Sequence, residues 1–200
     1  MQSLVHHARA FPRRFAAAGH DLARHSAGQT PEALFITCSD SRVVPALITG
    51  ANPGQIFELR TAGNIVPEYS TGAPPSGESA TIEYAVGILQ VPDVIVCGHS
   101  HCGAIGALVR SDDLTAAPAL RNWLDHAAPP TRHLAPLPDI EADDVARPVQ
   151  RNIGAQLDRL RGYPSVARRL TDGTLRLHAW YYEVHTGAVL HGTDRGFLPL

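Results

Sequence analysis

Residues 94–109 read Val94-Ile95-Val96-Cys97-Gly98-His99-Ser100-His101-Cys102-Gly103-Ala104-Ile105-Gly106-Ala107-Leu108-Val109. The first four form an unbroken apolar run, three of them β-branched, which predicts a buried strand with Cys97 as a core residue. Gly98 and the polar residues after it stop that strand. From Ala104 to Val109 the pattern becomes that of a helix. The same plan appears upstream, where the apolar run Ala33-Leu34-Phe35-Ile36-Thr37 ends in the polar stretch Cys38-Ser39-Asp40-Ser41-Arg42. Strands that run through a polar turn and alternate with helices predict an α/β fold with a mostly parallel sheet.

The rest of the chain extends this frame. Asn52-Pro53-Gly54 marks a turn, and Gln55–Leu59 follows as a strand. Residues 69–77, rich in Gly, Pro and Ser, read as a surface loop. Ile82, Ala85, Val86 and Leu89 share a helix face. Residues 112–148 read as helix, loop and helix, with Trp123 and Leu124 as the apolar anchors. Helices are expected over Val149–Arg161 and Ser165–Thr171. Leu175–Tyr182 reads as a strand, which Thr186-Gly187 turns back into Ala188–His191 as an antiparallel edge hairpin. The expectation is a single domain over residues 1–200, with a central sheet, flanking helices and an N-terminal helical arm over 1–24. Leu4, Ala8, Phe11 and Phe15 form the apolar face of that arm, and Pro12 is expected to divide it into two short helices. Residues 25–31 read as a loop.

Composition narrows the class. Of 200 residues, 44% are hydrophobic and 18% charged, which fits a globular protein. All 17 basic residues are Arg, and the net charge of -2 gives no electrostatic draw toward nucleic acid or an anionic membrane. No apolar run approaches the roughly 20 residues that span a bilayer. Arg9, Arg13 and Arg14 precede no apolar core of the kind a secretory signal carries. Three cysteines, an odd number, argue against a disulfide framework and for a reducing, cytoplasmic setting.

The chemistry gathers where the two strands end. Cys and His are donors that suit Zn²⁺. His99 and Cys102, three apart at a strand end and a helix start, can face one ion, and Cys38 is the obvious third ligand. Three protein ligands leave a position open, which is the pattern of a catalytic zinc rather than a closed structural one. Both half-sites fall at the carboxyl ends of predicted parallel strands, where sites form in open α/β sheets. Asp40 has two alternatives. As a fourth ligand it would close the site; held by Arg42, it would leave the position to water and accept that water's hydrogen bond. A plain surface ion pair is the bland alternative.

Cys-Ser-Asp-Ser-Arg at 38–42 and Gly-His-x-x-Cys-Gly at 98–103 resemble the β-class carbonic anhydrases. Arg60-Thr61-Ala62-Gly63-Asn64 and Ile82-Glu83-Tyr84-Ala85 add to the likeness, which weakens over 112–148 and the N-terminal helices. The resemblance implies that Cys38, His99 and Cys102 bind zinc and that Asp40 and Arg42 are catalytic. It implies that Gln29, Phe57 and Tyr84 line a CO₂ pocket shared across a subunit interface, hence a homodimer or a multiple of it. The implied reaction is reversible hydration of CO₂ to bicarbonate and a proton, by attack of zinc-bound hydroxide. Some bacterial members use a Trp just before the zinc Cys in an inhibitory bicarbonate site. Phe35, which lacks the indole N–H, stands at that place here, although Arg60 and Tyr84 remain. The same fold also admits hydrolysis of CS₂ or COS, or a non-catalytic zinc module closed by Asp40.

Overall fold

Strands form where apolar residues run together. In the computed structural model, which describes residues 1–72, 76–127 and 145–200, β1 spans Ala33–Cys38, β2 Ile56–Thr61, β3 Asp93–His99 and β4 Arg176–Tyr182. They make one sheet in the order β2-β1-β3-β4, all parallel, with β5 (Val189–Thr193) and β6 (Gly196–Pro199) added antiparallel at the edge beyond β4. This is the expected α/β architecture. The strand β6 was not foreseen, being four residues long and containing a proline.

Alternate residues of β1 and β3 serve the two faces. Leu34, Ile36, Val94 and Val96 are buried in the main core with Val149, Ile153 and Leu160 of helix α6 (Ala146–Arg161). Phe35, Ile95 and Cys97 are buried on the opposite face beside Trp180. Burial on both faces is why these strands read as continuous apolar runs. Gly98 allows α6 to lie close, since a Cβ there would come within 2.5 Å of Val149 Cγ1. Helix α3 (Gly77–Glu83) continues as a π-helical segment over Tyr84–Ile88. It turns Ile82, Ala85 and Val86 into the core, with Leu89 partly buried against them. Helices α2 (Pro45–Thr49), α4 (Gly103–Arg110), α5 (Pro118–Ala127) and α7 (Pro164–Thr171) complete the layers. The loop part of the expected helix–loop–helix over 112–148 lies largely outside the described residues.

The N-terminal arm differs from expectation. Helix α1 is continuous over Gln2–Ala17 with Pro12 inside it, and a separate 3-10 turn covers Leu22–Ala27, part of which was expected to be loop. Proline removes one backbone hydrogen bond, but α1 buries no residue, so water can take the freed carbonyl. Asp21 starts the 3-10 turn by accepting from the Ala23 amide at 2.9 Å. Among the described residues, no helix is long and apolar enough to cross a membrane.

Candidate metal centre

Cys38 is the last residue of β1 and His99 the last of β3, two adjacent parallel strands. Cys102 is the N-cap of α4. The turn between strand and helix brings the third side chain back to the first two. The ligand atoms of Cys38, His99 and Cys102 all lie within 4.8 Å of one another, and all three residues are buried. The two Sγ atoms are 3.9 Å apart, well beyond the roughly 2.05 Å of a disulfide.

The imidazole is set for a cation. His99 Nδ1 lies 2.8 Å from the Ser100 carbonyl, and a carbonyl only accepts, so Nδ1 carries the proton. Nε2 is left with its lone pair, buried and, among the described residues, without a hydrogen-bond partner. An orphaned buried nitrogen is costly unless something fills its need. The two thiols give the same answer. Hydrogen bonding from Cys102 is the main influence lowering the Cys38 thiol. The same contact, with burial, pushes Cys102 up, so one proton is shared between them. A dication among these donors lets both sulfurs ionise. Two thiolates and one imidazole are a donor set that fits zinc.

Asp40 and Arg42 stand at the rim. Arg42 Nε donates to Asp40 Oδ1 at 2.9 Å and Nη2 donates to Oδ2 at 2.7 Å, a bidentate grip. The Arg42 amide adds a third bond to Oδ1 at 2.9 Å. The Arg42 side chain is the largest cause holding the Asp40 carboxyl well below the usual carboxylate range. Oδ2 nevertheless lies only 3.9 Å from His99 Nε2. His101 is exposed and adopts φ 55°, and its carbonyl accepts from Arg42 Nη2 at 3.0 Å.

Several supports were not legible as such. Arg60 donates through Nη2 to the carbonyls of Cys38, Asp40 and Val43 at 2.9, 2.8 and 2.7 Å. A charged residue at the end of an apolar strand was the available signal. Ser100 accepts from the Val184 amide at 2.9 Å and so ties the metal loop to the turn after β4. Phe35 is fully buried, edge-on to Trp180.

The three expected pocket residues are not gathered at this centre. Phe57 and Tyr84 do meet each other, with ring centroids 5.9 Å apart. But Phe57 pairs with Leu34, whereas Cys38 pairs with Thr61, four residues further along. At about 3.3 Å per residue, Phe57 sits about 13 Å down the sheet from Cys38. Gln29 lies on the exposed segment between the 3-10 turn and β1.

A mostly parallel sheet that gathers two thiols and an imidazole where two adjacent strands end and α4 begins, flanked by a gripped carboxylate, defines an α/β protein with a candidate metal site. Residues 33–189 match the family described as Carbonic anhydrase. The carbonic anhydrase of Pseudomonas aeruginosa is 48% identical over 175 residues, which cover 86% of this chain and 79% of that protein. That of Synechococcus elongatus is 42% identical over 195 residues, 95% of this chain and 71% of that one. Among solved structures, the β-carbonic anhydrase CcaA matches with a TM-score of 0.90 and 39% identity, over 100% of this chain and 99% of that one. Tetrameric β-carbonic anhydrases of Sordaria macrospora match with a TM-score of 0.78 and 27% identity, over 95% and 94%. The chain therefore belongs to the carbonic anhydrase family of enzymes, and to its β class.

Proposed function

We propose that this chain catalyses the reversible hydration of CO₂ to bicarbonate and a proton, with one Zn²⁺ held by Cys38, His99 and Cys102. The observation that carries this reading is the buried convergence of three donors around an unpartnered His99 Nε2, while Asp40 is held on Arg42. Bound zinc would lower the pKa of water from 15.7 to roughly 7 and so supply a nucleophile near neutrality.

The chain's own residues do the rest. Asp40 stays ionised and presents Oδ2 beside the donor cluster, where it accepts a hydrogen bond from the reacting water and orients it. Arg42 keeps that carboxylate from becoming a fourth ligand. This grip supports the open, catalytic reading over a zinc module closed by Asp40. Phe57 and Tyr84 offer an apolar surface suited to CO₂, and Gln29 a hydrogen-bond donor. Because Phe57 lies about 13 Å from its own Cys38, these three serve the centre of a second copy in a homodimer or a multiple of it. Helix α1 supports association, with Leu4 69% and Phe11 45% exposed on its apolar face. Three unpaired cysteines fit a reducing cytoplasm, where Cys38 and Cys102 stay available to metal.

Stopped-flow CO₂ hydration with zinc determined on the same sample tests the proposal. Hydration with about one zinc per chain is expected. Turnover of COS or CS₂ without CO₂ hydration would move the activity to the related linear substrates. Stoichiometric zinc with no turnover would favour the closed module.

A further inference from the structure

We propose that Trp123 and Asn152 are positioning residues for the metal centre, acting through the two peptide groups that flank Gly63 on the sulfur of Cys38. The inference rests on the zinc reading above and adds to it two residues that touch neither metal nor substrate.

The first peptide is Ala62–Gly63. A trans peptide is planar, with its C=O and N–H pointing in opposite directions, and among the described residues no peptide bond is cis. At one end, Trp123 Nε1–H donates to the Ala62 carbonyl at 3.0 Å. At the other, the Gly63 N–H donates to Cys38 Sγ at 3.4 Å. The indole therefore holds the group whose opposite end meets the sulfur. The second peptide is Gly63–Asn64. Its carbonyl accepts from Asn152 Nδ2 at 2.9 Å. Asn152 is fully buried and held in turn, since its Oδ1 accepts from Gln156 Nε2 at 2.8 Å. Gln156 Oε1 accepts from the Val66 amide at 2.9 Å, which closes the ladder on the same loop.

The residue between the clamps explains the need for them. Gly63 sits at φ 74°, ψ 20°. A Cβ there would meet Ile105 Cδ1 and Ile65 Cδ1 at 3.3 Å each, so the position demands glycine. Glycine is also the residue whose backbone turns most freely. Without an external hold, its N–H has little reason to stay on the sulfur. The indole packs partly buried against Ile65 and Leu124 and borders an open pocket of about 330 Å³ shared with Ser39 and Ala62.

The chemical consequence is a tuned ligand. A hydrogen bond to a thiolate withdraws charge from it, and groups beyond the ligands adjust the metal in this way. Losing the N–H···S bond leaves Cys38 a stronger donor.

The test uses cobalt(II) in place of zinc and reads the thiolate-to-cobalt charge-transfer band. Trp123→Phe keeps an aromatic ring and removes the donor. Its band should move to longer wavelength than in the wild type, and Asn152→Ala should move it the same way. The double variant should shift little beyond the larger single, because both residues hold one N–H. Leu120→Ala, which trims the same helix beside the same cavity, should destabilise the protein and leave the band in place. An unmoved band in cobalt-loaded Trp123→Phe overturns the clamp, as does an equal shift in Leu120→Ala. Should the variants fail to fold or to hold cobalt, wild-type protein loaded with ¹¹³Cd decides. Scalar coupling between the Gly63 amide proton and ¹¹³Cd supports the proposal, and its absence overturns it. Wild type that takes up neither ion overturns the metal reading itself, and the clamp with it.

Discussion

Arg42 grips both carboxylate oxygens of Asp40, at 2.9 and 2.7 Å. The same carboxylate stands 3.9 Å from the open nitrogen of His99, so the guanidinium and the metal position compete for it. Arg42→Ala should release Asp40 toward the metal. Hydration should fall to background while zinc stays near one per chain. Stability should change by no more than about 1 kcal/mol, because Arg42 is 46% exposed. Asp40→Asn should also keep zinc but slow turnover by roughly 10²–10⁴, the usual scale of a lost acid–base partner. Rate and metal content measured on one preparation check both, and a fully active Arg42→Ala would reduce the pair to a surface contact.

Removing a donor should act through the metal. Cys102→Ala is expected to lose zinc and activity together, leaving Cys38 and His99 too few to hold the ion. Chelation of the wild type should lower its melting temperature, because an ion held by the folded chain and not by the unfolded one stabilises the fold. Elemental analysis and thermal unfolding with and without chelator give the answer. Full zinc in Cys102→Ala would take that residue out of the ligand set.

Arg60 ties the metal loop together through the carbonyls of Cys38, Asp40 and Val43. Arg60→Met keeps the apolar stem and removes the donors. The expected loss is about 2–3 kcal/mol, from carbonyls left unpaired beside a missing charge. Turnover should fall further than stability explains, since a ligand and the carboxylate next to it hang on the same guanidinium. Urea midpoints and hydration rates decide this, and an unchanged midpoint would show the loop standing without Arg60.

The pocket assignment predicts that association and activity travel together. Wild type should be a dimer or a multiple by light scattering. Leu4→Asp with Phe11→Asp, two changes on the unburied face of α1, should shift the protein toward monomer. The kcat/KM should fall with that shift, because the Phe57 and Tyr84 that serve each centre then leave with the partner. Finding the wild type active as a monomer would rule out a shared pocket.

What could be read in advance follows from how local each signal is. The strands β1 and β3 announced themselves as apolar runs, and the donor set as two short motifs at their ends, because residues a few positions apart carried both. Pro12 does not end α1, although an interior proline removes a hydrogen bond and crowds the carbonyl four residues back, and nothing local in the sequence separates a helix that tolerates this from one that breaks. The strand β6 hid behind Pro199, which an edge position tolerates. Trp123 read as an apolar anchor, although its indole nitrogen bonds a carbonyl 61 positions away. Arg60 likewise acts on carbonyls that only the folded loop brings together. Periodicity reports which face is apolar; it does not report which polar atom crosses the fold to meet another.

The far end of the sheet carries a separate charge cluster with a pH signature. Asp93, at the start of β3, accepts from Arg176 Nε and Nη2 and from His178 Nε2, each at 2.7 Å, joining β3 to β4. Arg176 is the main cause lowering the Asp93 carboxyl, with burial opposing and His178 assisting. A carboxyl lowered on folding binds fewer protons in the native than in the unfolded chain. Its stabilisation is therefore present above the unfolded value of about 3.9 and is lost as pH falls through the lower folded value. Asp93→Asn should cost about 1 kcal/mol at pH 7, a modest figure because Arg176 is 68% exposed and solvent screens the pair. The gap between wild type and variant should persist at pH 5 and close as the pH drops below about 4. Urea unfolding of both proteins at pH 7, 5 and 3 measures it. Other carboxylates titrate in both proteins alike, so the change in the gap between pH 5 and pH 3 isolates Asp93. A gap as wide at pH 3 as at pH 7 would mean that the shape of Asp93, and not its charge, joins the two strands.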